Sequence, residues 1–538
     1  MFIRNNCSNS FAEYLLSSCD MGHFDRVYGV EKEKTKIIIE DDDILVVFHV
    51  DNFDLIFSYK RMKVVRAVFT NQHYTATGFT FKKQKLVLQK FTVFDNVIFN
   101  MDDGFCYESV FNTITSIDPF DDENVYSCWA FQSHPSKDGF FNNPIRNPDG
   151  HVNDYTSMSK YRTVSLDPYV INSNEGLLQV LMMLDSKYPK DKMIMLKVDV
   201  NIFQRVYKII QLSHNYTNFK HYSQRFICVN GFWHVYKMGS IVTWRLFGKN
   251  YLLRLLKAAY PNVTSYLEKS MGLQQLTDII NVVSLAYYTL PDDCYVRTTT
   301  IAAKNFTILF ETILPALRSY YYALRVGNWN EFSLSRDVLT YLFILGKHNL
   351  YRNAEIFQSL LFEFWKKKSK TFHDFFTENF TMFSEEIGEI AFGVMAANSK
   401  NYTEDKILDY KNKKFVMLNK TLELNEVYKG KCIHGYDGLS VNSSEVIACR
   451  NELKLIIDEL NNDIFKVQDV TITRKQYKLK DTLVELDVNK EEKLFLDDTV
   501  LEFNRSFIKA RKNFNNKKKT NGFNEVLRAM DLKLTGTN

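Results

Sequence analysis

The sequence contains little proline, little glycine and no organised set of cysteines. Nine prolines and twenty glycines in 538 residues leave most turns to asparagine and aspartate. The eight cysteines are scattered, with neither a CxxC pair nor the Cys/His spacing of a zinc finger, which favours a reducing, intracellular compartment over a disulfide framework. No apolar run is long enough for a membrane-spanning helix, and the first residues lack the apolar core of a signal peptide, so we expect no membrane partner.

Three familiar catalytic signatures are also missing: the glycine-rich phosphate loop, the Gly-x-Ser-x-Gly elbow and the kinase motifs. What the chain does contain is 45% hydrophobic and 14% aromatic residues, which is enough for a sizeable folded core. Its length accommodates about two to four domains. The 68 Lys and Arg residues against 63 Asp and Glu residues give a net charge of +5, too small on this length to indicate a nucleic-acid partner by itself.

Aspartates follow two of the predicted strands. The run 43–57 is β-branched and apolar, and it contains Asp51. A helix predicted over 172–187 and a short turn precede a second apolar run, 192–200, which reaches Asp199. Helix, turn, strand and carboxylate is the order of a βαβ unit, and buried strands of this kind deliver carboxylates to the edge of a sheet. The alternative is that both aspartates cap strands or begin turns.

Shifts in hydrophobic period and charge divide the chain into five predicted parts. The class is α/β, with a mixed sheet, a large all-α insertion and a small mixed α+β C-terminal region. The parts are a lead-in over 1–36, an α/β core over 37–235 with a loop-rich insertion near 134–153, a helical insertion with a closing core helix over 236–400, a mixed α+β region over 401–504 and a basic tail over 505–538.

Three histidines, His214, His221 and His234, fall within one stretch of the sequence. Their irregular spacing, with no cysteine at ligand distance, argues against a metal site built from them. We predict instead that Trp233 and His234 pack at a junction between a strand and a helix, with the imidazole hydrogen-bonded.

Three passages resemble a poorly characterised eukaryotic family associated with mobile elements. The first, 47–79, has an Asp-Asn pair at a strand end, followed by a facing strand. The second, 193–260, has a strand ending in Asp, a helix, and a strand followed by Gly-Phe-Trp-His before a long helix. The third, 325–357, contains the run His-Asn-Leu-Tyr-Arg-Asn within a helical segment. Taken together, the resemblance covers roughly residues 37–400.

The resemblance implies a transposase core of the ribonuclease H-like type, interrupted by a helical insertion. In such a core, converging carboxylates hold two divalent ions about 3.5–4 Å apart. Carried over by position, Asp51 and Asp199 are the acids that survive, as catalytic residues and as metal ligands. Oxygen ligands of this kind suit Mg²⁺ or Mn²⁺. The implied partner is DNA, and an oligomer is compatible with it because transposase-like proteins act as assemblies.

Two positions depart from the pattern of the family. Phe232 stands where the family has an acid, and Phe392 stands where we place its third carboxylate, with Glu389 one turn earlier. Because losing a ligand destroys a two-metal site, the sequence favours a domesticated or decaying element that keeps the fold and has lost the chemistry.

Two alternatives remain open. One is an active metal-dependent strand-transfer nuclease that uses Asp51, Asp199 and Glu389 as catalytic residues. The other is a non-catalytic scaffold whose aromatic helical unit binds a partner protein.

The tail over 505–519 concentrates positive charge without any acid. Cationic side chains neutralise phosphates, and the two phenylalanines among them can stack on unpaired bases. The tail is equally typical of a nuclear-targeting patch or of a solvated basic helix. The predicted nucleic-acid contacts are Lys509, Arg511, Lys512, Lys517, Lys518 and Lys519.

Overall fold

A computed structural model describes residues 21–59, 68–83, 160–167, 171–213, 218–261, 273–386, 388–389, 419 and 442–466. Several predictions lie outside the described residues. They are the loop-rich insertion near 134–153, Phe392, most of the mixed region over 401–504, and the tail with Lys509, Arg511, Lys512, Lys517, Lys518 and Lys519.

One five-stranded sheet lies at the centre of the fold. Its strands are β1 (Ile44–Tyr59), β2 (Val68–Lys83), β3 (Lys160–Asp167), β4 (Ile194–Val198) and β5 (Phe226–Asn230). Their order across the sheet is β3-β2-β1-β4-β5. The β1–β2 and β2–β3 pairs are antiparallel, whereas the β1–β4 and β4–β5 pairs are parallel. This mixed sheet in a mostly helical chain confirms the predicted α/β class.

Helices make up most of the remaining described structure. They are α1 (Met21–Glu40), α2 (Asn174–Lys187), α3 (Val200–Ser213), α4 (Tyr222–Arg225), α5 (Phe232–Phe247), α6 (Leu253–Ala259), α7 (Leu273–Tyr288), α8 (Ile301–Thr307), α9 (Leu314–Val326), α10 (Trp329–Leu345), α11 (Asn349–Lys368), α12 (Lys370–Asn379) and α13 (Ser444–Asn461). In the described parts of the chain, none of these is both long and apolar enough to cross a membrane.

The parallel strands are buried along their whole length. Every residue of β4 and β5 is buried, and both strands are rich in apolar side chains. Helix α3 contacts β5, and α11 contacts both α3 and β5. Continuous apolar sequence is expected for parallel strands whose two faces are both covered, because no face is left for polar residues.

Helix α1 continues to Glu40, past residue 36 where the predicted lead-in ends. Ile37, Ile38 and Ile39 are β-branched, a side-chain type that favours strands. They instead form the last turn of a helix already propagating through a charged segment, where each added residue gains a hydrogen bond. Ile38 and Ile39 pack against the core while Ile37 is exposed.

Helix α13 packs onto the helical unit although the predicted organisation placed it in a separate region. The guanidinium of Arg254 on α6 lies 2.8 Å from Glu452 and 2.6 Å from Glu459. The Cys449 thiol donates to the Leu255 carbonyl over 3.3 Å. The apolar face of α13 belongs to the same core cluster as the sheet and the other helices.

Candidate metal centre

The parallel pairing of β1 and β4 brings two aspartates together at the carboxyl end of β4. Val50 and Val198 are register partners, and Asp51 and Asp199 each follow by one residue. Adjacent strands lie about 4.8 Å apart, so the two acids are neighbours across this pair. Asp199 follows the end of β4, whereas Asp51, which was predicted at a strand end, lies in the middle of β1. Asp199 also begins α3, because its carbonyl accepts from Phe203 N–H and its carboxylate from Val200 N–H. The predicted edge position and the predicted capping role therefore coincide at this residue.

Glu389 reaches the same edge from the distant end of the helical unit. It lies one helical turn after Glu385, whose carbonyl accepts from Glu389 N–H over 2.9 Å. One potential ligand atom from each of His49, Asp51 and Glu389 lies within 4.8 Å of the other two. His49 and Asp51 are two positions apart on β1 and so point to the same face. Asp199 does not belong to this three-residue cluster.

His49 is fully buried beneath Glu389. Its Nδ1 lies 3.4 Å from the Tyr161 hydroxyl, and its Nε2 lies 4.0 Å from Glu389 Oε1. Burial lowers the pKa of His49 well below its usual range, and the nearby charges of Lys197 and His234 add to the effect. The imidazole is therefore neutral near pH 7 and retains a lone pair that can bind a metal.

His234 lies in the first turn of α5 and contacts two glutamates. Its Nδ1 lies 2.5 Å from Glu385 Oε1, and its Nε2 lies 3.6 Å from Glu389 Oε1. Burial alone would lower the pKa of His234, but the hydrogen bond to Glu385 and the surrounding carboxylates outweigh it and raise the pKa to about 9. The same Glu385 carboxylate accepts from the backbone N–H groups of Trp233 and His234, as expected for an acid at a helix N-terminus.

Two glycines allow the close approach of these groups. A Cβ at Gly231 would lie 1.8 Å from Glu385 Oε1, and a Cβ at Gly388 would lie 2.1 Å from His49 Nδ1. Any side chain at either position would displace a buried polar group. Glycine is therefore required here for space.

Lys197 fixes the segment that leads to Glu385. Its fully buried ammonium donates to the Met382 carbonyl over 2.9 Å, to the Ser384 carbonyl over 2.6 Å and to Thr80 Oγ1 over 2.5 Å. Burial lowers the pKa of Lys197 to about 7. This side chain on β4 thus ties the distant helical segment to the sheet directly below the site.

The electrostatics of the cluster suit a divalent cation. Burial raises the pKa of Asp51 well above its usual range, and the negative charge of Glu389 raises it further. Glu389 Oε1 is buried and has no hydrogen-bond donor among the described residues. The described counter-charge nearest these two crowded carboxylates is His234, whose Nε2 lies 3.6 Å from Glu389 Oε1. A bound metal would add further positive charge there and would bind the buried oxygen. The side chains that fit it are those of His49, Asp51 and Glu389.

Metal-free protein is expected to become more stable when Asp51 is replaced by Asn. The change removes one of two crowded charges, and the expected gain near pH 7.5 in EDTA is about 0.5–2 kcal/mol. Because the pKa of Asp51 is raised in the folded chain above its ordinary 3.8, the contribution of Asp51 to stability falls as the pH rises from about 4, and the variant lacks this contribution. Denaturant unfolding at pH 4 and 7.5 measures both effects. A variant less stable than the wild type at pH 7.5 would contradict the crowding of charge.

The structure sorts the residues that the sequence singled out. It brings Asp51 and Glu389 together and places Asp199 on the neighbouring strand end, where its carboxylate accepts from the Tyr351 hydroxyl over 3.3 Å. Phe232, which replaces a family acid, packs in the core with its ring centroid 4.7 Å from that of Phe332. His234 lies at the predicted strand–helix junction and is hydrogen-bonded, as predicted.

Sequence reasoning did not find His49 or Glu385. Both could have been found by their spacing, because His49 is two residues from Asp51 on a strand and Glu385 is four residues from Glu389 on a helix, which are same-face spacings.

Comparison of the chain with protein-family models, with curated proteins and with solved structures gave no match in any of the three.

Proposed function

We propose that this protein is a metal-dependent nuclease or strand-transfer enzyme derived from a mobile element, built on a ribonuclease H-like core. Asp51, Asp199 and Glu389 are its catalytic carboxylates, Mg²⁺ or Mn²⁺ is its cofactor, and DNA is its substrate. The observation that carries the proposal is the meeting of Asp51 and Glu389, which are far apart in the sequence, beside the strand end that bears Asp199.

The order of the strands supports the same proposal. A ribonuclease H-like sheet has three antiparallel strands followed by two parallel strands beyond the first, which is the order β3-β2-β1-β4-β5. In this order the first and fourth strands are neighbours, so Asp51 within the first strand lies beside Asp199 at the end of the fourth. A helical segment that returns to that edge supplies the third acid.

The expectation of a lost site rested on Phe232 and Phe392. Phe232 packs among aromatic rings of the helical unit, including those of Phe332 and Phe380. Glu389, one turn before Phe392 in sequence, offers a carboxylate next to Asp51. These placements favour the active alternative over the inactive one.

Each part of the site has a role in the proposed reaction. A bound divalent ion would stabilise charge on the phosphate and lower the pKa of a water molecule. Asp51 and Glu389 would hold the ion. Asp199, from the adjacent strand, would contact the ion on its other side. Glu385 and Lys197 act as positioning residues, because they fix the α5 N-terminus and the segment before Glu389. The basic tail would add contacts to nucleic-acid phosphates.

Replacing Asp199 with Asn tests the proposal directly. Full-length wild-type protein is expected to cleave supercoiled plasmid or single-stranded oligonucleotides with Mn²⁺ or Mg²⁺ and to lose activity in EDTA. The variant is expected to be slower by about a hundredfold or more, since groups that stabilise transition-state charge contribute on that scale. Asp374→Asn, an exposed acid on α12, is the matched control and should cleave normally.

Two results would contradict the proposal. Metal-independent cleavage that Asp199→Asn does not change would exclude this site as its source. Binding of DNA without cleavage by the wild type in either metal would favour the inactive, nucleic-acid-associated alternative.

A further inference from the structure

We propose that His49 and His234 are also metal ligands, so that this centre is a mixed nitrogen–oxygen site that prefers transition-metal ions such as Mn²⁺, Co²⁺ and Zn²⁺ over Mg²⁺. The inference deepens the proposed function and rests on it only for the premise that the acidic edge binds a divalent ion. It adds two ligands that the carboxylate pattern alone does not contain.

The distances between ligand atoms support this inference. His49 Nε2 and His234 Nε2 lie 4.0 Å and 3.6 Å from Glu389 Oε1. Both separations are too long for a hydrogen bond. Atoms bound to one ion at about 2.1 Å stand roughly 3–4 Å apart, which matches the distance of each imidazole from Glu389 Oε1. His234 lies outside the cluster of His49, Asp51 and Glu389, so its Nε2 would have to move closer to that cluster to share the ion. Glu389 Oε1, buried without a hydrogen-bond donor among the described residues, is the oxygen that both imidazoles face.

Each imidazole is oriented through its other nitrogen. His49 Nδ1 lies 3.4 Å from the Tyr161 hydroxyl, and His234 Nδ1 lies 2.5 Å from Glu385 Oε1. Metal-bound histidines characteristically bond a carboxylate, carbonyl or other polar group through the second ring nitrogen, which fixes the tautomer and the ring plane. Here both rings carry such a partner, and both turn Nε2 toward the same carboxylate.

The chemistry of the donors determines the metal. Imidazole nitrogen suits iron, cobalt, nickel, copper and zinc, whereas Mg²⁺ strongly prefers oxygen ligands and retains water. A centre with two imidazoles and two carboxylates should therefore bind ions in the order Mg²⁺ < Mn²⁺ < Co²⁺, with Zn²⁺ also tighter than Mg²⁺. A centre made only of carboxylates would show little difference between Mg²⁺ and Mn²⁺.

A rival role for His234 is that of a permanent counter-ion. Protonated His234 could neutralise Glu385 and Glu389 without any metal. In that case the ring would keep its proton when a divalent ion is added, and its replacement would not change metal affinity. The experiment below separates these two roles because it measures metal binding and does not depend on cleavage.

The experiment is a titration of metal-free, full-length protein with Co²⁺ at pH 7.5, followed by its visible spectrum, and with Mn²⁺ and Mg²⁺ by calorimetry. Wild-type protein is expected to bind Co²⁺ and Mn²⁺ at least about tenfold more tightly than Mg²⁺. His49→Gln and His234→Gln should each weaken Co²⁺ binding by roughly 10- to 100-fold. These two variants should change Mg²⁺ affinity by no more than about threefold. His221→Gln, a half-exposed histidine bonded to Asp185, is the matched control and should bind like the wild type.

A measurement that needs no substitution covers the case of a variant that fails to fold. Pulsed electron paramagnetic resonance of wild-type protein with one equivalent of Mn²⁺ is expected to show coupling to imidazole ¹⁴N. The inference would be overturned if no nitrogen coupling is seen. It would also be overturned if wild-type protein binds Mg²⁺ and Mn²⁺ equally tightly and both histidine variants bind metals as tightly as the wild type. Mg²⁺-dependent cleavage in that case would leave the proposed function standing. Failure to bind any divalent ion would overturn both.

Discussion

Replacing Asp51 with Asn or Glu389 with Gln is expected to abolish metal-dependent cleavage while leaving the protein folded. Each change keeps the shape of the side chain but removes the charge that would hold the cation, and the two residues face each other across one cluster. We expect a fall of at least about a hundredfold for each variant, and nearly the same fall for the double variant. Single-turnover cleavage with saturating Mn²⁺ measures the effect.

Glu386→Gln is the control for this experiment. Glu386 belongs to the same helical turn, but its carboxylate accepts from the Tyr321 hydroxyl over 3.3 Å and is outside the cluster. It should retain cleavage within about threefold of wild type. If the Glu389 variant cleaved as fast as this control, the third carboxylate would have to come from another part of the chain.

The second large effect is expected at a buried ion pair that contacts Asn230 at the end of β5. The Glu355 carboxylate accepts from Arg336 Nε and from Asn230 Nδ2, each over 2.6 Å, and both members of the ion pair are almost completely buried. Replacing Glu355 with Ala would leave the Arg336 guanidinium buried without a counter-charge. We expect a loss of about 3–5 kcal/mol in the free energy of unfolding, measured by urea denaturation.

Two further variants show whether this loss comes from the unpaired charge. Glu363→Ala removes an acid from the same helix whose side chain is half-exposed, and it should change stability by less than about 0.5 kcal/mol. The double variant Arg336→Met with Glu355→Leu removes both charges and should recover most of the loss. A double variant as unstable as Glu355→Ala would show that packing, and not charge, dominates at this position.

The sheet and its acidic edge follow from local features of the sequence. Asp51 and Asp199 could be predicted because each follows a β-branched apolar run, and a parallel pair of such runs brings their ends together. The helical unit could be predicted from its three- and four-residue apolar spacing. The end of α1 could not, because three consecutive isoleucines fit a strand as well as a helix, and contacts with the core decide between them.

The third carboxylate and the histidines depend on long-range packing. Glu385, Glu386 and Glu389 are close in sequence, and contacts between distant parts of the chain, such as that of Lys197 with Ser384, position this segment so that Glu389 reaches Asp51. Sequence reasoning did not single out His49 because it lies within an apolar strand, although its spacing from Asp51 places both residues on one face. A search for histidines at same-face spacing from a candidate acid would have found it.

The connections at the centre span most of the described chain, and this affects when the centre can form. Lys197 and Ser384 are 187 residues apart, and His234 and Glu385 are 151 residues apart. Contacts of such high sequence separation form late because a long loop must close first. During synthesis at about 5–20 residues per second, the sheet can assemble well before Glu385 and Glu389 leave the ribosome. A nascent or prematurely terminated chain would therefore contain the sheet but lack the centre, which would be complete only after nearly all of the helical unit has been made.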